Sequence, residues 1–309
     1  MANQHTAPSP WSGRSDPEDG DHALRMHHLV ADKGARAVLG FACEEGVRRN
    51  KGRVGAKEGP AALRNALAGL AAGPAPQPFV DLGDITVDGN DLEAGQELLG
   101  DHVAQALASY ERLVVFGGGH ETAFGDYLGL ARHYQPAKIG IINFDAHLDL
   151  RNLGEAGPSS GTPFNQIRNL APEKFDYLCI GAAQEANSAA LFERAADWGV
   201  GLVMDHQLAD SPDAGLAAID AMARRNDVLY LTIDIDVLPH YQAPGVSAPA
   251  ARGVSFSTIE ALTRHLIGKA RTGECRLPLA DLVELSPPHD RDGMTAKTAA
   301  YLARALLLG

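Results

Sequence analysis

The sequence predicts an α/β fold, a three-layer α/β/α sandwich around a mostly parallel sheet of about eight strands. Three observations lead there. Short apolar runs alternate with helical patterns over residues 35–308. The runs are continuously apolar, which is the pattern of strands covered on both faces. Several end abruptly in acidic or histidine-containing motifs, and ligand-binding groups in such sheets gather at the carboxyl ends of strands.

The strand candidates in chain order are ARAVLGFA (35–42), FVDLGDI (79–85), RLVVFGGG (112–119), KIGIINFDA (138–146), DYLCIGAA (176–183), VGLVMD (200–205), VLYLTIDIDV (228–237) and LADLVELS (279–286). Each is short, rich in Val, Ile and Leu, and bounded by Gly, Pro or Asp. Between them, PAALRNALAGL (60–70), EAGQELLGDHVAQALASY (93–110), ETAFGDYLGLARHY (121–134), SAALFERAADWG (188–199), AGLAAIDAMARRN (214–226) and TIEALTRHLIGKA (258–270) place apolar residues at helical spacing, and AKTAAYLARALLL (296–308) is a final helix. Residues 1–30, rich in Pro, Ser, Asp, Gly and His, are expected as a mobile or late-packing leader. Residues 31–309 read as a single domain, because no Pro/Ser-rich linker divides the alternation.

Charge and composition narrow the function classes. A formal net charge of −12 argues against nucleic acid or an anionic membrane as the main partner. No stretch is apolar and long enough to span a bilayer, and the first residues lack the apolar segment of a secretory signal. Cys43, Cys179 and Cys275 are odd in number and far apart, so they read as reduced core residues and not as a disulfide framework. A cytoplasmic protein acting on a small molecule is the expectation.

Four strand candidates end in metal-type side chains: RLVVF runs into GGGHE, KIGIIN into FDAHLDLR, VLYLTI into DIDVLP and LADLV into ELSPPHD. Taken singly the motifs are weak. Asp149 alone reads equally as a helix cap, and GGGHE lacks the Lys-Ser/Thr of a phosphate loop. Taken together, they send His120, Asp145, His147, Asp149, Asp234 and Asp236 to one rim, where several buried carboxylates need cations. A carboxylate-rich set with a minority of imidazole suits Mn²⁺, and six ligands suffice for two ions if carboxylates bridge. In NFDAHLDLR (143–151), period two along an extended chain sends Asp145, His147, Asp149 and Arg151 to the same side.

The ordered set GGGH, DAHLD and DID resembles the arginase/agmatinase (ureohydrolase) family, over nearly the whole chain after the leader. The resemblance implies an arginase-like fold, a homo-oligomer, and two Mn²⁺ per subunit: one held by His120, Asp145, Asp149 and Asp234, the other by Asp145, His147, Asp234 and Asp236. GVRRNKGRVGAKEGPAALR, GGGHE, DLR and SSGTPFNQIRN are similar to the branch that hydrolyses N-formimidoyl-L-glutamate to L-glutamate and formamide in histidine degradation. Relatives acting on arginine or agmatine typically carry Asp where Gly119 stands and His where Ser160 stands. Other guanidino or amidine substrates, such as agmatine, guanidinobutyrate or arginine, are the alternative. A deiminase releasing ammonia and a non-catalytic binding protein are more distant ones.

The same resemblance suggests roles. Glu284 stands where the family keeps a Glu facing the amidine, and Asp149 is the expected proton carrier with Ser160 in place of His. Arg151 is the expected partner of a substrate carboxylate, with Arg49, Arg53 and Arg168 as weaker candidates from nearby motifs.

Overall fold

Leu113 and Val115 face one side of their strand while Val114 and Phe116 face the other, and all four are fully buried. Such strands need a helix layer on each face. A computed structural model describes residues 3–309. Its strands are β1 (Gln4–Thr6), β2 (Arg36–Ala42), β3 (Phe79–Thr86), β4 (Arg112–Phe116), β5 (Ile139–Phe144), β6 (Asp176–Ala182), β7 (Gly201–Met204), β8 (Val228–Asp234) and β9 (Leu279–Val283). Its helices are α1 (Glu45–Arg49), α2 (Gly59–Ala68), α3 (Leu92–Leu107), α4 (Thr122–His133), α5 (Pro163–Leu170), α6 (Ala189–Asp197), α7 (Asp213–Arg225), α8 (Phe256–Thr272) and α9 (Met294–Leu308).

The strands form one sheet in the order β1-β3-β2-β4-β9-β8-β5-β6-β7, parallel throughout except for β1. On one face α2, α7, α8 and α9 bury Leu63, Leu67, Ile219, Ile259 and Leu302 against Val114, Phe116, Ile142 and Phe144. On the other, α3 to α6 bury Leu99, Val103, Tyr127, Phe164 and Leu191 against Leu113, Val115, Ile139 and Ile141. This is the expected three-layer sandwich. Each fully buried Leu, Ile or Phe contributes about 1.5–3 kcal/mol, so the two apolar layers fix the sheet and with it the rim.

Among the described residues the sheet has nine strands: the eight expected, β2 to β9, and β1, which lies within the segment read as a leader. That segment is docked. Gln4, His5 and Thr6 pair antiparallel with Thr86, Ile85 and Asp84. Trp11 donates its indole N–H to Asp81 at 2.6 Å and stacks edge-on against Phe79, and Met26 and Leu29 are buried. Gly83 lets the strand approach this closely: its φ is +85°, and a Cβ there would sit 2.0 Å from the Thr6 carbonyl oxygen. Two short helices, α1 and α5, were not expected. Pro163 at the first turn of α5 starts a helix too short and too polar to announce itself by periodicity.

Candidate functional site

Four adjacent central strands, β4, β9, β8 and β5, deliver the chemistry at their carboxyl ends. His120 follows β4, Glu284 follows β9, Asp234 closes β8 and leads to Asp236, and Asp145 follows β5. The structure brings all six expected metal-type side chains together. His120, Asp145, Asp149 and Asp234 form one group and Asp145, His147 and Asp236 a second, each with its donor atoms within 4.8 Å of one another.

The geometry is that of a cation site. His120 Nδ1 faces carboxylate oxygens of Asp149 at 3.0 Å, Asp145 at 3.2 Å and Asp234 at 3.3 Å. None completes a hydrogen bond to that nitrogen, which is buried. Spacings of this size are those of neighbouring ligands around an ion with bonds of about 2–2.2 Å. His147 Nδ1 lies 3.1 Å from Asp236 Oδ2 and 3.4 Å from Asp145 Oδ1. Asp145 therefore turns one oxygen to each group. Asp234 falls in the first group only, and its Oδ1 accepts the Asp236 N–H at 2.8 Å. No thiol enters either group: Cys179 Sγ instead bonds the Asp145 and His147 carbonyls. An oxygen-rich set with two imidazoles fits Mn²⁺.

The electrostatics agree. Burial lifts Asp234 well above the carboxylate range, helped by the Asp236 and Asp145 charges. Burial also holds Asp236 up at about 6 and raises Asp149, with the Asp145 charge adding to both. Burial opposes charge on His120, but Asp145, Asp149 and Asp234 outweigh it and raise its pKa. Crowded carboxylates that retain protons in this way are waiting for positive charge.

The sequence folds locally to hold these groups. The expected extension of strand geometry to Arg151 does not occur: β5 stops at Phe144, and Asp149 sits in the left-handed region with φ +47°. The loop is instead pinned by Asn187, whose Nδ2 donates to the Ala146 and Ala183 carbonyls and whose Oδ1 accepts the Leu148 N–H. Glu284 has φ +66°; its Oε1 accepts the His120 N–H at 2.9 Å, and its Oε2 is buried without a partner. Burial, then the Asp234 charge, raises its pKa well above normal. Non-glycine residues in this backbone region concentrate at functional sites.

Behind His120 lies a polar chain that sequence reasoning missed. Thr232 Oγ1 donates to Asp281 Oδ1 at 2.6 Å, so it accepts from His120 Nε2–H at 3.0 Å. That assigns the tautomer and leaves the Nδ1 lone pair for the cluster. Asp281 also takes the Tyr230 hydroxyl. A signal existed: Thr232 and Asp281 are polar residues inside apolar runs.

A cavity of about 330 Å³ opens over the cluster, a size suited to a small molecule. Its lining includes His147, Asp149, Asp234, Asp236 and Glu284 with Ser160, Arg151, Arg53 and Lys51. Ser160 is buried and accepts from Asn50 Nδ2 at 3.2 Å. Arg151 is exposed at the mouth, its N–H held by the Gly161 carbonyl at 2.9 Å, and among the described residues it forms no ion pair. Arg49 and Arg168 lie elsewhere: Arg49 is tied to Glu45 and Glu93, and Arg168 packs over Trp198.

A mostly parallel sheet with two carboxylate–histidine groups at its central rim defines a class of α/β protein built to hold a pair of cations. Known proteins place it further. The model of the Arginase family matches residues 35–309. The chain is 47% identical over 312 residues to the formimidoylglutamase of Aeromonas hydrophila, covering 97% of each chain, and 46% identical to that of Chromobacterium violaceum, covering 96% of each. A crystal structure of Trypanosoma cruzi formiminoglutamase with two Mn²⁺ superposes with a TM-score of 0.80 at 27% identity, covering 93% of this chain and 98% of that one. The chain belongs to the arginase family.

Proposed function

We propose that this chain is a two-manganese hydrolase that cleaves N-formimidoyl-L-glutamate to L-glutamate and formamide, as in histidine degradation. The observation that carries the reading is the charge layout of one pocket. Its floor is carboxylate and imidazole, with Asp234, Asp236 and Glu284 buried and His147 and Asp149 half-buried, while Arg53 and Arg151 stand exposed at its mouth. A substrate with a cationic amidine at one end and carboxylates at the other matches that layout. Agmatine, with a cation at its far end, does not. The curated relatives that share nearly half of their residues with this chain carry the same activity in their names.

His120, Asp145, Asp149 and Asp234 would hold one ion and Asp145, His147 and Asp236 the other; Asp234, whose donor atom falls in the first group, is proposed as a further ligand of the second. When bound, the pair supplies Lewis-acid activation of water at neutral pH. Glu284 offers its unpartnered Oε2 to the amidine N–H groups and so fixes the amidine carbon over the cluster. Asp149, assigned to one ion only and lining the cavity, accepts a proton from the attacking water and returns one to the glutamate nitrogen as the C–N bond breaks. Arg151 receives a substrate carboxylate. Ser160 leaves room where family members acting on arginine or agmatine typically carry His.

Among the described residues, no helix is long and apolar enough to cross a membrane. A cytoplasmic homo-oligomer completes the proposal, and sedimentation would measure its size. Function is tested with the Mn²⁺-loaded protein on formimidoylglutamate, arginine, agmatine and guanidinobutyrate. Mn²⁺-dependent turnover of the first well above the others is expected. Preference for a guanidino substrate would replace the proposal with another family activity.

A further inference from the structure

We infer that Lys51 is a second carboxylate-binding residue of the pocket, held in a left-handed backbone conformation at the end of α1 so that its ammonium stands at the pocket mouth. The inference rests on the function proposed above.

The helix end raises the question. Lys51 N–H bonds the Arg48 carbonyl at 3.0 Å and Gly52 N–H bonds the Val47 carbonyl at 2.9 Å. This pair of bonds closes a helix with its penultimate turn residue in the left-handed region, a position normally given to glycine. Here that residue is Lys51, with φ +62°. The neighbouring glycine does not serve instead. Gly52 is crowded at its own place: a Cβ there would lie 2.4 Å from Ser247 Oγ and 2.9 Å from Val47 Cγ1. The chain therefore keeps a side chain where its fold favours none.

The location supplies a reason. Among the described residues, four other than glycine have positive φ: Lys51, Asp149, Glu284 and Asp292. The first three line the same cavity. Asp149 and Glu284 are already explained by chemistry, and strained backbone of this kind gathers where function demands a side chain.

Lys51 is also uncommitted. Its neighbours Arg48 and Arg49 are paired with Glu45, and Arg53 spends Nε and Nη2 on the carbonyls of Ser247 and Val246. Among the described residues, the Lys51 ammonium has no ion pair and no hydrogen bond. A dicarboxylate substrate needs two cations, and Lys51 and Arg151 are the two cationic side chains of the lining left without partners.

The test uses the full-length, Mn²⁺-loaded enzyme with Lys51→Gly, Lys51→Met and Lys51→Arg, reading KM, kcat and the melting temperature of each. Lys51→Gly should melt at or above the wild-type temperature, because glycine suits the turn, while its KM for N-formimidoyl-L-glutamate rises about tenfold and kcat stays within about twofold. Lys51→Met should raise KM equally without the gain in stability, and Lys51→Arg should keep most of the affinity. Wild-type turnover with unchanged KM in Lys51→Gly and Lys51→Met would overturn the inference alone. A wild-type enzyme that does not turn over formimidoylglutamate would overturn the functional reading and the inference with it.

Discussion

Replacing Arg151 by alanine tests whether the mouth of the pocket selects the substrate. A charge-assisted hydrogen bond to a carboxylate contributes about 1.5–3 kcal/mol. Arg151 is exposed, so solvent screening moves the expected loss to about 1–2 kcal/mol, roughly 5- to 30-fold in kcat/KM. The loss should fall on KM, because the guanidinium meets the end of the substrate away from the reacting carbon. Its stem packs over Gly161, where a Cβ would lie 2.7 Å from Arg151 Cδ, so alanine also loosens that contact. Arg151→Lys restores charge without the planar fork and should recover only part of the affinity. Steady-state kinetics on formimidoylglutamate, with metal content measured beside them, separates the cases. Unchanged kcat/KM in Arg151→Ala would refute carboxylate binding by this residue. A loss of bound metal would show that the side chain supports the loop and not the substrate.

Three further outcomes follow from the same geometry. Asp145→Ala should lose both ions by elemental analysis, since its two oxygens face the two groups, and Asp234→Ala should do the same if that carboxylate bridges; full occupancy in either would exclude bridging by that residue. Thr232→Val removes the acceptor that fixes the His120 tautomer and should weaken Mn²⁺ binding about 10- to 100-fold by titration calorimetry, with little change in the apo-protein's circular dichroism. In the metal-free protein, burial holds Glu121 at about 7 and Asp236 at about 6, so the folded state keeps protons that the unfolded chain has released. Stability from these groups is full below the ordinary carboxylate range and is lost as pH rises through those values, so the apo melting temperature should fall between about pH 5 and about pH 8. A rise over that window would contradict the assignment.

What was legible in the sequence follows from burial. Strands β2 to β9 are covered on one or both faces, and continuous apolar runs betray them. Three-residue β1, QHT, carries no apolar signal; its place depends on Gly83 admitting it beside β3, a long-range fact. The six metal-type residues were readable because carboxylates at the ends of buried strands are costly without cations. The orientation of helix faces was not readable. Arg49 shares a motif with Asn50 and Lys51, yet it turns away to Glu45 and Glu93. Lys51, beside it, lines the cavity because the helix end reverses the chain there. The hydrogen-bond chain through Thr232, Asp281 and Tyr230 needs two neighbouring strands in register, with Thr232 paired to Asp281, which single-strand patterns do not reveal.

Hydrolysis of the formimidoyl C–N bond by water in this pocket leaves a product signature. Proton NMR of the products formed from N-formimidoyl-L-glutamate by the Mn²⁺-loaded enzyme reads that signature. Formamide and L-glutamate should appear in equal amounts, with no ammonia and no turnover after chelation. Ammonia with N-formyl-L-glutamate, or turnover that survives chelation, would contradict the proposed hydrolysis.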